Sequence, residues 1–157
     1  SLIRVEGDEV ALSLHVILRF ELERIMVSKD LSVSDLPEAW REQSKDLLGI
    51  VPENDATGVL QDIHWSGGSI GYFPTYALGN VYGLQFVSKL REQMPDMDTK
   101  IRHGELAPIK EWLDTNIHSH GRGKTPGELC EEITGEPMNA QYFIDYLTAK
   151  YTDIYNL

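Results

Sequence analysis

Residues 58–76 read GVLQDIHWSGGSIGYFPTY, a stretch with four glycines and four aromatic side chains. From Leu60 to Trp65 the side chains fall into two alternating sets, which predicts a short β or extended element around residues 59–65. The glycines beyond Trp65 weaken helix and strand alike, and they allow tight turns or a close approach of the backbone to a ligand. We therefore expect a functional loop here, with helices on either side.

Helical patterns account for most of the remaining chain. Residues 1 to about 28 contain no proline and a single glycine, Gly7, and their richness in Leu, Ile, Val, Glu and Arg predicts one long helix. The same reasoning predicts later helices, which end near Leu48, Gln93, His118, Thr134 and Tyr151. The fold is therefore expected to be mainly all-α, a helical domain with only the short β or extended element around residues 59–65.

Local signals mark where several of these helices begin. The segment 125–128 reads TPGE and combines a capping threonine, a proline at the first helical position and a glutamate at the third. Ser34 or Asp35, together with Glu38, predicts a second capping box, and Asp98 is a candidate cap for a short helix. The last helix carries large apolar side chains at helical spacing that we predict to be core residues: Tyr142, Phe143, Tyr146 and Leu147.

The first predicted helix carries a polar stripe on an otherwise apolar surface. At about 100° per residue, one narrow stripe holds Arg4, Asp8, Ala11, His15, Arg19 and Leu22. The apolar remainder predicts a buried helix, so the stripe must find partners or line a cavity, because unpaired buried charges are costly. Two interpretations stay open: an internal Arg4–Asp8 ion pair at i, i+4, and one wall of an active-site cleft.

Composition narrows the classes of partner and compartment. The chain has 157 residues, 41% of them hydrophobic, and a formal net charge of -11, which predicts a globular domain and disfavours nucleic acid and anionic membranes. The single cysteine, Cys130, excludes an intrachain disulfide and favours a reducing, cytoplasmic location. No run approaches the roughly 20 apolar residues of a membrane span, and no signal-peptide pattern is visible.

Two motifs in this sequence resemble those of one enzyme family. Residues 58–65, GVLQDIHW, match the G-x-x-Q-D-x-H-W motif of the carboxypeptidase Taq (thermostable carboxypeptidase 1) family at every fixed position. Residues 3–8, IRVEGD, are similar to its I-R-x-x-A-D motif, with Gly7 in place of alanine. Ala11 and Leu12 stand where a Thr-Tyr-like pair is expected. The resemblance covers essentially the whole chain and identifies residues 1–157 as a single helical C-terminal subdomain of such an enzyme.

The resemblance implies a zinc-dependent carboxypeptidase that releases C-terminal amino acids from peptides with broad specificity, acting as a homodimer. Zinc, or cobalt, would be held by an H-E-x-x-H helix and a downstream glutamate that lie upstream of these motifs in the family. No H-E-x-x-H occurs in this chain, so we expect no metal ligand and no bound metal in it. An alternative from another class is that the isolated piece is an inert helical packing or interaction module.

The remaining motif residues suit the substrate side of such a site. An exopeptidase must recognise a free carboxylate, and Arg4 is the leading candidate because a guanidinium can bind it with two charge-assisted hydrogen bonds; Asp8 would orient it. We predict that His64, Tyr72 and Tyr76 donate hydrogen bonds to the oxyanion of the transition state. Gln61 and Asp62 are predicted to bind substrate. The structural alternative for Gln61 is a loop-closing hydrogen bond, and that for His64 is a buried pair with Asp62.

Overall fold

The computed structural model describes residues 1–157 as two compact units, residues 1–78 and 79–157. Its helices are α1 (Glu9–Val27), α2 (Leu36–Leu48), α3 (Pro74–Gln93), α4 (Met97–Arg102), α5 (Ala107–Asn116), α6 (Pro126–Thr134) and α7 (Gln141–Tyr155). Short 3-10 turns lie at Arg4–Glu6, Asp55–Thr57 and His118–His120, and the chain forms no strand. The mainly all-α prediction is confirmed, while the single subdomain of a longer enzyme stays a prediction.

The first helix is interrupted where the sequence predicted continuity. Arg4–Glu6 forms a 3-10 turn, Gly7 is extended, and α1 begins only at Glu9. Asp8 causes the break because its side chain accepts a 2.8 Å hydrogen bond from the Ala11 N–H, as the N-cap of α1. In a continuous helix the Ala11 N–H would bond to a backbone carbonyl, whereas here the Asp8 side chain accepts from it. Gly7 adds little to helix stability, so the break costs little.

The short β element expected at residues 59–65 is absent, and this prediction is wrong. Residues 58–69 instead close turns on themselves: the Gly67 N–H donates to the Ile63 carbonyl at 2.8 Å, and the Ser69 N–H donates to the His64 carbonyl at 2.8 Å. These local bonds occupy groups that a strand would need for a partner. Gly68 and Gly71 have φ values of 76° and 78°, a left-handed region that glycine enters without strain.

The first unit is built on α1 and α2. Its core contains Leu18 and Leu22 of α1 with Leu36 and Trp40 of α2, and Val59 and Trp65 of the glycine-rich stretch pack against it. The polar stripe of α1 faces inward, since His15 and Arg19 are both buried. The opposite face is not covered within this chain: Ile17 is 45% exposed and Phe20 is 40% exposed, where the sequence predicted burial.

A predicted helix N-cap forms where its side chains have no competing partner. Thr125 and Glu128 form the predicted capping box of α6. The box predicted at residues 34–38 does not form, because Asp35 makes no capping hydrogen bond and Glu38 pairs with Arg41 instead. The cap of α4 is Asp96 by position, so the prediction of Asp98 is wrong by two residues.

The second unit buries fewer side chains than the sequence suggests. Its buried residues are Gln85, Leu90, Met97, Leu129 and Cys130. Helix α7 has no buried residue, so its predicted core residues, namely Tyr142, Phe143, Tyr146 and Leu147, are only half-buried in this chain. None of the helices is both long enough and apolar enough to cross a membrane.

Candidate substrate-binding and oxyanion site

A partly buried carboxylate, that of Asp62, lies between two guanidinium groups in the first unit. Arg4 Nη2 donates to Asp62 Oδ1 at 3.0 Å, and Arg19 Nε donates to Asp62 Oδ2 at 2.6 Å. Burial alone would raise the pKa of Asp62, but the charge and hydrogen bond of Arg19, together with those of Arg4, hold it below its ordinary value. Arg4 is therefore oriented by Asp62, while Asp8 caps α1; the substrate-binding role of Asp8 stays a prediction.

Arg19 is fully committed to the framework of the unit. Its side chain is 0% exposed, and its three nitrogens contact Asp62, Gln61 and both the ring and the carbonyl of His15. Its guanidinium also lies 4.7 Å from the centre of the Trp40 ring. Burial lowers the pKa of His15, so this ring is neutral near pH 7 and accepts from Arg19. Four of its five N–H donors are used within the chain, and its burial keeps the side chain out of reach of a ligand.

Arg4, in contrast, keeps unused donor capacity. Its guanidinium stacks over the Tyr76 ring at 4.6 Å, and its Nε is buried without a hydrogen-bond partner. The two arginines carry one more positive charge than Asp62 neutralises, so a neighbouring anion is attracted. Beside Arg4 opens a cavity of about 230 Å³, lined by Ile3, Arg4, Val5, Ala56, Leu60, Gln61 and Asp62.

Gln61 makes the loop-closing hydrogen bonds that the sequence offered as the alternative to substrate binding. Its Nε2 donates to the Leu2 carbonyl at 2.8 Å and to the Thr57 carbonyl, while its Oε1 accepts from Arg19 Nη2 at 3.3 Å. Both ends of the amide are occupied by the chain itself. Substrate contact through Gln61 or Asp62 would have to break bonds within the chain, so Asp62 has the geometry of a support for Arg4 and Gln61 that of a support for Arg19 and the loop.

The three predicted oxyanion donors lie together. His64 Nε2 is 3.0 Å from the Tyr76 hydroxyl, and the rings of Tyr72 and Tyr76 both lie 5.8 Å from the His64 ring. Phe73, which is buried, packs against His64 at 4.4 Å and forms the floor of this cluster. Tyr72 is 49% exposed and its hydroxyl makes no hydrogen bond to the rest of the chain.

The position of the proton in the His64–Tyr76 hydrogen bond decides which of the two side chains can donate a hydrogen bond to a ligand. With the proton on Nε2, His64 donates to the Tyr76 oxygen and the phenol proton is free for another acceptor. His64 Nδ1 is 3.6 Å from Asp62 Oδ1, beyond hydrogen-bond distance, and it is buried without a partner. Asp62 and His64 are therefore close but not hydrogen-bonded. The cluster can offer two hydroxyl donors to a ligand, one from Tyr76 and one from Tyr72.

One residue of the site, Glu23 on α1, was missed by sequence reasoning. It is 5% exposed, its Oε2 accepts from the Trp65 indole N–H at 2.7 Å, and its Oε1 accepts from the Gly71 backbone N–H at 2.6 Å. The signal was available, because Glu23 follows His15 and Arg19 at the i, i+4, i+8 spacing of one helix face.

The histidines and acidic side chains of this chain do not form a metal site. No group of three His, Cys, Asp or Glu residues is placed to hold an ion. Within the candidate site, His64 Nδ1 lies 3.6 Å from Asp62 Oδ1, and that carboxylate is already bound by two arginines. We therefore assign no step to a metal through these residues.

The fold recurs in a solved metallopeptidase structure. The M32 carboxypeptidase from Deinococcus radiodurans R1 superposes with a TM-score of 0.97 at 40% sequence identity, covering 100% of this chain and 32% of that one. A likeness this close, over the whole chain, shows that the two share the fold.

The model of the carboxypeptidase Taq (M32) metallopeptidase family matches residues 1–151, and the chain belongs to that family. It is 47% identical to carboxypeptidase 1 of Bacillus subtilis (strain 168) over 157 residues. It is 44% identical to thermostable carboxypeptidase 1 of Thermus thermophilus over 155 residues. The chain spans 31% and 30% of the length of these relatives.

Proposed function

We propose that this chain is the substrate-binding part of a metal-dependent carboxypeptidase that releases C-terminal amino acids from peptides. Family membership supports the reaction class. The observation that carries the proposal for this chain is that the Arg4 guanidinium lies beside a cavity and 4.6 Å from the centre of the Tyr76 ring, while the Tyr76 hydroxyl lies 3.0 Å from His64 Nε2. A carboxylate binder and oxyanion donors so close together suit an exopeptidase.

Arg4 would bind the free carboxylate of the peptide. Asp62 fixes one edge of the guanidinium and the Tyr76 ring supports its face, so little side-chain freedom remains to be lost on binding. A charge-assisted hydrogen bond of this kind is worth roughly 1.5–3 kcal/mol. Asp62 then acts on the substrate indirectly, by holding Arg4, and Gln61 by holding Arg19 and the Leu2 carbonyl.

Tyr76 and Tyr72 would donate to the oxygen of the scissile carbonyl as negative charge develops on it. His64 would orient the Tyr76 hydroxyl through their 3.0 Å hydrogen bond. Preorganised donors of this type stabilise the transition state more than the ground state, so they act on kcat.

The rest of the catalytic apparatus would come from outside these residues. We propose zinc, or cobalt, as the metal, supplied with its ligands by another part of the enzyme, and a homodimeric, cytoplasmic protein of broad specificity. The metal would polarise the scissile carbonyl and activate water. The residues described above would bind and orient the peptide.

The test uses the full-length enzyme that contains this chain. Arg4→Ala should lower kcat/KM about ten- to a hundredfold on a blocked dipeptide with a free carboxylate, because the charged contact is lost. The amidated twin of that substrate, already poor, should be affected far less. Arg24→Ala is the matched control, because Arg24 is 61% exposed and pairs only with Glu21. Equal losses on both substrates would make Arg4 structural.

A second candidate function is that of an inert packing module, and exposed apolar side chains favour it. Val5, Leu60 and Ile63 are 76%, 70% and 79% exposed, more than a folded surface usually leaves bare around one site. On this reading the isolated chain neither binds stoichiometric zinc nor cleaves blocked dipeptides, with or without added zinc or cobalt. Metal-dependent turnover by the pure 157-residue chain would contradict it.

A further inference from the structure

A single buried carboxylate joins the two ends of the glycine-rich segment. Glu23 accepts from the indole N–H of Trp65, at the start of the segment, and from the backbone N–H of Gly71, at its end. The two bonds, 2.7 Å and 2.6 Å, go to different oxygens of the same side chain. Residues 65–71 are thus tied to α1 at both ends by one residue.

Nothing in the core requires a carboxylate at this position. Glu23 is 5% exposed and forms no ion pair, so no opposite charge offsets the cost of its burial. An apolar side chain on α1 would be less costly, because a buried charge is tolerated only where hydrogen bonds satisfy it. The two N–H donors that satisfy Glu23 both belong to the segment, which indicates that the shape of the segment is what the carboxylate maintains.

The anchored ends adjoin the proposed donors. Trp65 directly follows His64, and Gly71 directly precedes Tyr72. The Trp65 ring also meets Phe73 edge-on at 5.7 Å, and Phe73 lies 4.4 Å from the His64 ring. We infer that Glu23 is the positioning residue that sets the geometry of His64, Tyr72 and Tyr76. This inference rests on the proposed oxyanion role of those three residues.

The positioning role differs from simple packing in what its loss would change. Without the carboxylate the segment loses both tethers while Leu18, Leu22 and Trp40 still form the core. The donors would then spend less time at the reacting carbonyl, which lowers kcat while the carboxylate contact of Arg4, and with it KM, is kept. A purely structural loss would instead lower the amount of folded enzyme and leave the kcat of the folded fraction unchanged.

The experiment compares Glu23→Gln, Glu23→Ala and Trp65→Phe in the full-length enzyme. Glu23→Gln is nearly isosteric but can accept through only one of its two ends, and Trp65→Phe removes the indole donor together with part of the ring that packs on the core. Glu21→Gln is the matched control, two residues earlier on α1, with its side chain 38% exposed and paired with Arg24. Hydrogen exchange at the Gly71 amide and steady-state kinetics, normalised to active enzyme, are measured for each variant.

We expect Glu23→Ala to speed exchange at the Gly71 amide and to lower kcat about ten- to a hundredfold with KM changed by less than about threefold. Glu23→Gln and Trp65→Phe should fall between it and the wild type, and Glu21→Gln should match the wild type. Unchanged exchange in Glu23→Ala, or faster exchange with unchanged kcat, overturns the inference. A wild-type enzyme without peptide turnover would instead contradict the proposed function, while the exchange data would still decide whether Glu23 holds the segment.

Discussion

The two polar clusters of the first unit differ in how completely the chain satisfies them. In the cluster around Arg19, every guanidinium nitrogen and both oxygens of Asp62 have partners, and Arg19 is 0% exposed. In the cluster around His64, the Tyr72 hydroxyl is exposed and unbonded and His64 Nδ1 has no partner. Satisfied groups form the framework of a site, whereas an exposed group without a partner, here the Tyr72 hydroxyl, is available to a ligand. Arg4 belongs to both, since Asp62 holds it and its Nε is unused.

The largest effect is expected from removing a fully bonded member. Arg19→Met deletes the cation but leaves Asp62 and the Gln61 and His15 acceptors buried, so the chain should lose about 3–5 kcal/mol of unfolding free energy. The remaining Arg4–Asp62 bond places the loss at the lower end of that range. Urea unfolding of the chain measures it, with Arg24→Met as control at about 0–1 kcal/mol, because Arg24 is 61% exposed. A similar loss in both variants would erase the distinction between the clusters.

Removing a hydroxyl from the second cluster should affect catalysis and not stability. In the full-length enzyme, Tyr76→Phe should lower kcat by about 10²–10³ with little change in KM, since it removes one oxyanion donor and keeps the ring. Tyr72→Phe should cost less, because its exposed hydroxyl is not oriented by any neighbour. His64→Gln keeps a donor and should be milder than His64→Ala. Near-normal kcat in both Tyr→Phe variants would leave the tyrosines as packing residues.

The smallest expected effect is on the pH dependence of stability, and it sharpens the description of the Arg19 cluster. Burial lowers the pKa of His15 below its ordinary value of 6.5 in the folded chain. Between the folded and the unfolded pKa, the unfolded chain therefore binds a proton more readily than the folded chain. The unfolding free energy should therefore fall as the pH is lowered through 6.5 towards the folded pKa. Asp62, whose pKa is lowered from 3.8, adds a further loss only below that value.

Urea titrations of the chain at about pH 7 and about pH 5 test this, because histidine changes charge in that range. His15→Gln cannot titrate, so the difference between its two unfolding free energies should be smaller than that of the wild type. His103→Gln is a suitable control, since His103 is 65% exposed. A wild-type difference that His15→Gln leaves unchanged would show that His15 is not the group responsible.

Much of the candidate site was visible in the motifs, but the contacts within it were not. His64, Tyr72 and Tyr76 were predicted together because they are close in the sequence, and they do lie together. The partner of Arg4 was placed four residues away at Asp8, whereas it is Asp62, 58 residues away. Helical periodicity favours partners at i, i+4, and it could not anticipate that Asp8 would cap α1 instead. The catalytic roles of His64, Tyr72 and Tyr76 stay predictions.

The sequence by itself determined the helices, the α6 capping box and the family, because these depend on neighbours a few residues apart or on the motifs themselves. Only the tertiary structure decided that residues 59–65 form turns, that Asp62 bridges two arginines and that Glu23 fastens the glycine-rich segment. Each of these depends on the path of a loop, and a loop is shaped by distant groups that compete for the same backbone donors and side-chain oxygens.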